Sequence, residues 1–388
     1  MTTPAARGWC PTLFTPMEAA DGWLARIKPP GATLRADAVR VLSLAARDYG
    51  DGSVTLTLRG NVQLRGLAGD AIGSVARMMV ESGLADPNPD IERRRVLIFP
   101  PLSGADPVAV AIETALCRED LPHKFCVALD ADLDLPLGET GADITVIRDN
   151  VACAIALAGA HRVARVGPGQ AAEVVRCLAR VLAASGTRRM RTLVAAIGAH
   201  HIFAAAGLEA DAPPPARPPR NPIGWLADLN VFGVGLPFGR LPAESLAALA
   251  TLAELHGGAT LRTTPWRALL LPGVADPQVI RAAVEKLGLI TDPADRRRLI
   301  VACIGTPGCA AASVDVQADA MKLLDLPLAG LVHLSGCAKG CAHPAPAPVT
   351  LVGERRRYNL IRNGSVAATP VARGLMLRDA VTLLERGV

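Results

Sequence analysis

The last quarter of the 388-residue chain contains two cysteine pairs, Cys303-Ile-Gly-Thr-Pro-Gly-Cys309 and Ser335-Gly-Cys-Ala-Lys-Gly-Cys341. Four thiolates from two loops suit a 4Fe-4S cubane, because each of its irons takes one sulfur ligand from the protein. The glycines let the backbone approach the inorganic sulfides closely, with amides free to donate hydrogen bonds to them. A structural zinc is the alternative, but five residues separate the first pair, and zinc loops usually separate paired cysteines by two to four. We therefore predict a 4Fe-4S cluster ligated by Cys303, Cys309, Cys337 and Cys341.

Two copies of one pattern make up most of the chain. Apolar residues recur at the same places in residues 34–42 and, 207 positions later, in residues 241–249. Their spacing is that of a helix with one buried face. The runs Arg93-Arg-Arg-Val-Leu-Ile98 and Arg296-Arg-Arg-Leu-Ile-Val301 repeat at a similar offset. We interpret the chain as a duplication.

The clustered cysteines belong to the second copy. At an offset of 203 residues, Pro100 and Asp106 stand where the second copy has Cys303 and Cys309, so we expect one cluster per chain. The other cysteines are scattered, several of them in apolar runs, and are expected to be small buried core residues. They are Cys10, Cys117, Cys126, Cys153 and Cys177. Because the total of nine is odd and no export signal is visible, we expect no disulfide framework.

Each copy is predicted to contain a ferredoxin-like α+β half followed by a mixed α/β domain. In each half a strand, a helix, a second strand and a second helix follow one another, and beyond the triple arginine strands alternate with helices. A connector with six prolines in twelve residues separates the copies. The predicted boundaries are 8–86 and 223–292 for the halves, 91–211 and 296–388 for the α/β domains, and 212–222 for the linker.

Composition narrows the classes of partner. Lys and Arg total 41 against 36 for Asp and Glu, a net charge of +5, and the aromatic residues are six Phe, four Trp and two Tyr. So mild a charge with so few stacking side chains gives no reason to expect nucleic acid. No apolar run approaches the roughly 20 residues of a membrane span, and no signal peptide is visible. We therefore expect a soluble, cytoplasmic protein with no nucleic-acid or membrane partner.

Three stretches carry a resemblance to a known superfamily: Leu56-Thr-Leu-Arg-Gly-Asn-Val-Gln-Leu-Arg-Gly66, Thr264-Pro-Trp-Arg267 and residues 332–347. Together with two cysteine pairs on the second copy of a duplicated chain, they resemble the nitrite/sulfite reductase superfamily along nearly the whole length. Within it, the chain resembles in particular the precorrin-3B synthase family, monooxygenases of cobalamin biosynthesis. The resemblance implies an α+β fold with the duplicated nitrite/sulfite reductase-like architecture, and an oxidoreductase activity.

Members of the resembled superfamily surround a carboxylate-fringed tetrapyrrole, either sirohaem or the synthase substrate precorrin-3A, with basic side chains. Arginine suits that task because its planar guanidinium forms paired, charge-assisted hydrogen bonds and stays charged at any relevant pH. The resemblance implies catalytic roles for Arg59, Arg94 and Lys124. It implies substrate-binding roles for Arg59, Asn61, Gln63, Arg65, Arg262 and Arg267.

One departure from the resembled reductases bears on the reaction. Where they commonly have Leu-Pro-Arg-Lys-Phe-Lys, this chain has Leu121-Pro-His-Lys-Phe-Cys126, which keeps Lys124 and replaces the second lysine with Cys126. The strand position Thr55 also lacks the arginine of the reductase pattern. Reduction of a small anion needs a strongly cationic pocket that supplies protons. These losses therefore disfavour sulfite or nitrite as the substrate.

The resemblance implies hydroxylation of precorrin-3A at C20 with O2, followed by attack of the ring A acetate to close a γ-lactone. The cluster would supply single electrons, drawn from a ferredoxin or an NADH-linked reductase. The family is also associated with a further non-haem iron, whose ligands the sequence does not place. The available histidines are His123, His200, His201, His333 and His343; no facial-triad spacing is evident among them, so each is expected to be structural. Two alternatives stay open. One is a sirohaem-dependent sulfite or nitrite reductase with Cys341 bridging to the haem iron, and the other is a non-catalytic electron carrier or tetrapyrrole-binding protein.

Overall fold

The computed structural model describes residues 10–326, 328 and 330–385. The first ferredoxin-like half contains β1 (Met17–Ala19), β2 (Gly22–Ile27), β3 (Thr33–Arg35), α1 (Ala36–Tyr49), β4 (Ser53–Leu56), β5 (Val62–Leu67) and α2 (Ile72–Glu81). The first α/β domain contains α3 (Pro89–Arg94), β6 (Leu97–Ile98), α4 (Pro107–Leu116), β7 (Val127–Asp130), β8 (Ile144–Arg148), β9 (Cys153–Leu157), β10 (Val163–Val166), α5 (Ala171–Ala184), α6 (Met190–Ile197) and α7 (Ala199–Ala205).

The second copy repeats this order among the described residues, without counterparts of α3, α6 and α7. Its ferredoxin-like half contains β11 (Gly224–Leu226), β12 (Val231–Gly235), β13 (Arg240–Pro242), α8 (Ala243–His256), β14 (Thr260–Thr263), β15 (Ala268–Pro272) and α9 (Pro277–Lys286). Its α/β domain contains β16 (Ile300–Ala302), α10 (Val316–Lys322), β17 (Val332–Ser335), β18 (Ala347–Glu354), β19 (Arg357–Gly364), β20 (Ala372–Leu375) and α11 (Leu377–Glu385).

Local sequence explains where several elements begin and turn. Asp106 and Asp276 cap α4 and α9, because each side chain accepts hydrogen bonds from the backbone amides two and three residues later, with a proline at the first helical position. Gly66 and Gly273, which the duplication makes equivalent, have φ angles of 69° and 70°. Both copies therefore use glycine for the same left-handed turn.

The two ferredoxin-like halves exchange one short strand each. β3 pairs with β14 and β13 pairs with β4, so the sheets run β1-β2-β5-β4-β13 and β11-β12-β15-β14-β3. Leu34 and Leu241, expected at the start of helices, lie in these exchanged strands, and the helices begin two residues later. α1 packs against α8, and one hydrophobic core runs through both halves. The exchange makes the halves a single body.

Each α/β domain contains a sheet in which parallel strands are followed by antiparallel ones. The orders are β10-β9-β8-β7-β6 and β16-β17-β18-β19-β20, with β6 to β8 and β16 to β18 parallel. The carboxyl ends of parallel strands share one sheet edge, so the loops after β16 and β17 emerge side by side. This arrangement confirms the predicted duplicated α+β fold.

The segment between the copies has no regular secondary structure. Residues 213–222 form neither helix nor strand, in keeping with the proline content that removes backbone donors there. The boundaries drawn from the sequence stay a prediction, and residues 8, 9, 327, 329 and 386–388 of the predicted domains lie outside the described residues. Within the described ranges, no helix combines the length and apolar character needed to cross a membrane.

Candidate active site

The four clustered cysteines follow two neighbouring parallel strands. Cys303 comes directly after β16, and Cys337 lies two residues after β17, which pairs with β16 in parallel. The two loops leave the sheet at the same edge, since both follow the carboxyl end of a strand. All four thiols are free of disulfide bonds.

These thiols lie close enough to influence one another. Burial raises the pKa of Cys303, and the nearby Cys341 and Cys309 add to that rise, whereas the Gly336 amide, 3.2 Å from the Cys303 Sγ, opposes it. Burial also raises the pKa of Cys341, with further contributions from Cys337 and Cys309. In the described part of the chain, no three or more His, Cys, Asp or Glu side chains converge as a single metal ion requires. The thiols are therefore near neighbours without closing on one point.

Two glycines of these loops lie where a side chain would not fit. A Cβ at Gly308 would lie 2.7 Å from Cγ1 of Ile304 and 3.0 Å from Oδ2 of Asp21. Gly340 has a φ of +61°, and its Cβ would lie 2.8 Å from Cγ2 of Val366. Glycine is required at both positions for the loops to keep this close packing.

The first α/β domain closes the corresponding edge with a carboxylate. Asp132 lies two residues after β7, as Cys337 lies two residues after β17. Its buried carboxylate accepts hydrogen bonds from the Leu102 amide and the Ser103 hydroxyl, both in the loop after β6. Polar contacts therefore join the two loops of the first copy, where the second copy has thiols.

Arg65 joins the first ferredoxin-like half to the first cysteine loop. Its Nε and Nη2 each lie 3.0 Å from a carboxylate oxygen of Asp21, and Nη2 also donates to the Gly308 carbonyl oxygen beside Cys309. The Arg65 and Asp21 side chains are 9% and 17% exposed. Protein groups thus engage the guanidinium that the sequence suggested for substrate binding.

Arg267 makes the equivalent contact from the second half. It precedes β15 with a φ of 55°, and its Nη2 donates to the Ala342 carbonyl oxygen at 2.8 Å, next to Cys341. Burial lowers the pKa of Arg267 to about 10. The neighbouring Trp266 donates from Nε1 to the Leu137 carbonyl oxygen at 3.2 Å. The loop before β15 therefore contacts both α/β domains.

A cleft lies between the first half and the first α/β domain. Its enclosed volume is about 20 Å³, and its polar walls come from Lys28, Arg59, Asn61, Arg95 and Glu113. A volume of that size holds about one water molecule. The cleft as it stands therefore has room only for a small polar group, such as the end of one ligand arm.

The loop that carries Arg59 and Asn61 meets its repeat-related loop. A Cβ at Gly60 would lie 3.5 Å from the Thr263 Oγ1 and 3.7 Å from the Thr264 backbone, so the turns after β4 and β14 are in contact. Arg59 Nη2 also donates to the Lys124 carbonyl oxygen at 2.9 Å. The structure thus brings Arg59 and Asn61 to the cleft and joins the Lys124 backbone to Arg59.

Sequence reasoning missed the basic residues at the end of β2. Arg26 lies opposite Gln63 in the sheet and donates to its Oε1 at 2.9 Å, and Lys28 donates to the Glu92 carbonyl oxygen at 2.8 Å. Burial lowers the pKa of Lys28 to about 8, with nearby Arg95 also lowering it and Glu92 opposing. The signal in the sequence is a pair of cations at alternate positions, Arg26 within β2 and Lys28 directly after it, where the other residues of the strand are apolar.

Two further predicted arginines are not among the residues that line the cleft. Arg94, on α3, donates to the Cys117 carbonyl oxygen at 3.2 Å. Arg262, on β14, donates to the Pro101 carbonyl oxygen at 2.8 Å and to the Thr33 hydroxyl. Arg262 therefore holds the loop after β6 against the exchanged strand.

One histidine of the cysteine domain is unusual. His333 on β17 is fully buried, and neither of its ring nitrogens has a hydrogen-bond partner among the described protein atoms. Its ring meets that of His343 edge to face, with centroids 5.7 Å apart. Burial lowers the pKa of His333 to about 4, and His343 and Arg267 contribute. A neutral buried imidazole without protein partners is a group that a ligand or ordered water can satisfy.

The chain is similar to known proteins in sequence and in fold. A model of the nitrite/sulfite reductase ferredoxin-like half domain matches residues 16–82 and 227–285. The chain is 31% identical to precorrin-3B synthase of Sinorhizobium sp, with 94% of this chain and 85% of that protein aligned. It is 24% identical to ferredoxin–nitrite reductase of Synechococcus elongatus, with 86% and 77% aligned. The solved structure of Mycobacterium tuberculosis NirA protein shares the fold, with a TM-score of 0.73, 19% identity and coverage of 94% of this chain and 80% of that chain.

The two matched segments fall one in each ferredoxin-like half, and the synthase alignment extends through both copies. These findings confirm the resemblance that the cysteine and arginine motifs carried. The chain belongs to the precorrin-3B synthase family of the nitrite/sulfite reductase superfamily.

Proposed function

We propose that the chain catalyses the O2-dependent hydroxylation of precorrin-3A at C20, with closure of a γ-lactone, in aerobic cobalamin biosynthesis. The observation that carries this proposal is the 31% identity, over 94% of the chain, to a protein named precorrin-3B synthase. The position that reductases fill with a second lysine supports it. Cys126 is 1% exposed there and packs with Ile98 and Ala128, so it offers no charge to a small anion.

A 4Fe-4S cluster on Cys303, Cys309, Cys337 and Cys341 fits the residues present. Four free thiols at one sheet edge influence one another without converging on a single-ion site, which suits a group larger than one ion. The Gly336 amide already donates to one of the thiols, as amides do to cluster sulfurs. When bound, the cluster would supply electrons singly.

A one-electron donor is needed for this chemistry, and we propose a ferredoxin or an NADH-linked reductase. The nitrite and sulfite reductase relatives carry ferredoxin in their names. A second, non-haem iron finds no three-ligand site among the described His, Cys, Asp and Glu side chains. We therefore assign it no ligands and no step.

The cleft would hold one carboxylate arm of the tetrapyrrole. Arg59, Asn61 and Lys28 line it and carry hydrogen-bond donors, and a hydrogen bond to a charged group contributes about 1.5–3 kcal/mol. Fixing the flexible macrocycle in one orientation would leave one meso carbon open to oxygen. Arg94 and Lys124 stay candidates for catalysis. The remaining predicted residues use their polar side chains for hydrogen bonds within the protein, and these bonds shape the site. They are Gln63, Arg65, Arg262 and Arg267.

The direct test supplies anaerobically purified protein with precorrin-3A, a ferredoxin reducing system and ¹⁸O2. Mass spectrometry should find labelled oxygen in the product, and no product should form without protein or reductant. Arg59→Ala should raise KM and leave the cluster spectrum unchanged, while Arg35→Ala on the exposed face should change neither. Consumption of sulfite or nitrite with sirohaem absorption bands would instead favour a reductase. Reversible electron exchange with no turnover of precorrin-3A would favour a carrier.

A further inference from the structure

Arg267 is a half-buried cation for which the described residues provide no carboxylate partner. Two buried arginines among the described residues are paired with carboxylates: Arg95 lies 3.0 Å from Glu92 and 3.2 Å from Glu113, and Arg65 is held by Asp21. For Arg267 the cause of the lowered pKa is burial, with no opposing acidic group. A buried charge is costly unless an opposite charge accompanies it. The site therefore implies an anion that the chain's own carboxylates do not supply.

The backbone is built to send this side chain inward. Arg267 has a φ of 55°, in the left-handed region that side chains other than glycine rarely adopt. Its aliphatic part lies over Gly239, where a Cβ would come within 2.9 Å of the Arg267 Cδ and 3.3 Å of its Nε. Gly239, which has a φ of +77°, leaves the space that the Arg267 side chain occupies.

The guanidinium faces the cysteine loops. Its Nη2 donates to the Ala342 carbonyl oxygen, the residue after Cys341, and its charge contributes to the lowered pKa of His333 on β17. Both contacts lie in the segment that carries the second cysteine pair. A group with four thiolate ligands is negatively charged, and reduction adds one more negative charge beside the same segment.

We propose that Arg267 is a positioning residue for the cluster: a half-buried cation without a carboxylate partner, whose counter-charge is the thiolate-ligated 4Fe-4S group. It holds the Cys341 loop through the Ala342 carbonyl and stabilises the reduced cluster over the oxidised one. This inference rests on the cluster of the proposed function. It predicts that Arg267 raises the reduction potential, because a nearby cation favours the more negative state.

The test is the midpoint potential of the holoprotein, measured without tetrapyrrole by anaerobic redox titration with absorbance and EPR detection. In Arg267→Gln the ratio of reduced to oxidised cluster at a fixed potential should fall about tenfold, equivalent to about 59 mV for a one-electron couple. Arg267→Lys keeps the charge and should keep most of the wild-type potential. Arg281→Gln makes the same change on the more exposed α9 and should leave the potential unaltered.

An intact cluster with the wild-type potential in Arg267→Gln would overturn the inference while leaving the proposed function standing. If Arg267→Gln fails to load a cluster, Arg267→Lys decides. If Arg267→Lys holds a cluster with a potential near that of the wild type, the role of charge is supported. If its ratio of reduced to oxidised cluster at a fixed potential falls about tenfold, the role of charge is overturned. A wild-type protein without any cluster would defeat the proposed function first, so the two failures are distinguishable.

Discussion

Replacing Arg65 with methionine should loosen the first cysteine loop from the ferredoxin-like body. The substitution leaves the carboxylate of Asp21 and the carbonyl of Gly308 without the donor that now satisfies both. The pair is largely buried, at 9% and 17% exposure, and removing one partner of a buried ion pair costs about 3–5 kcal/mol. Because Asp21 retains some access to water, we expect the lower end, about 3 kcal/mol.

Urea denaturation of the anaerobic holoprotein, followed by cluster absorbance, measures this cost. With a denaturant slope of about 2 kcal/mol per molar, the midpoint of the Arg65→Met variant should fall by about 1.5 M. Removing both partners, in Asp21→Leu combined with Arg65→Met, should cost about 2 kcal/mol less than the sum of the single changes. The control is Arg35→Met, which breaks an ion pair with 73% and 64% exposed side chains and should not move the midpoint. A midpoint unchanged in Arg65→Met, or strictly additive single changes, would refute the coupling of the half to the loop.

Other changes have sharper local readouts. Cys309→Ser should abolish cluster absorbance while Cys117→Ser, outside the cysteine loops, keeps it; an intact spectrum in the first variant would remove Cys309 from the ligand set. Burial lowers the pKa of Lys28 to about 8, so the side chain loses its charge as the pH rises through 8. The affinity for the tetrapyrrole should then fall about tenfold. Isothermal titration calorimetry should detect this fall in the wild type and not in Lys28→Met. Gly340→Ala should lower the iron content of the purified protein, because the new Cβ meets Val366. The control is Gly374→Ala, where φ is a similar +67° but the space around the new Cβ is open, so the iron content should not change. Equal iron contents in the two variants would argue against the close packing of the loop.

Some of this architecture is readable from sequence because it depends on residue type and spacing. The two cysteine pairs predict a cluster through their ligand chemistry, and the repeated apolar pattern predicts the duplication. The exchange of β3 and β13 between the two halves could not be predicted from the sequence. β3 and β13 are three residues long, and their partners lie more than 180 residues away in the chain. Nothing local distinguishes such a strand from the first turn of the helix that follows it.

The partners of the basic residues were also beyond the sequence. Arg65 stands beside Gly66 in the sequence and Arg267 ends the run Thr264-Pro-Trp-Arg267, and both settings fit ligand binding and loop bracing equally well. Which of the two applies depends on the carbonyl or carboxylate that the folded chain brings to each guanidinium. Asp21 and Ala342, the groups that Arg65 and Arg267 meet, are remote in sequence. Lys28 was overlooked because a cation at the end of a strand usually faces solvent.

Iron and acid-labile sulfide analysis of anaerobically purified protein tests most directly whether four thiols near the carboxyl end hold a cluster. A cubane predicts about four irons and four sulfides per chain, a brown absorbance that dithionite bleaches, and loss of all three in Cys309→Ser. A colourless protein with one zinc per chain, or with iron but no sulfide, would contradict the cluster and with it the proposed chemistry.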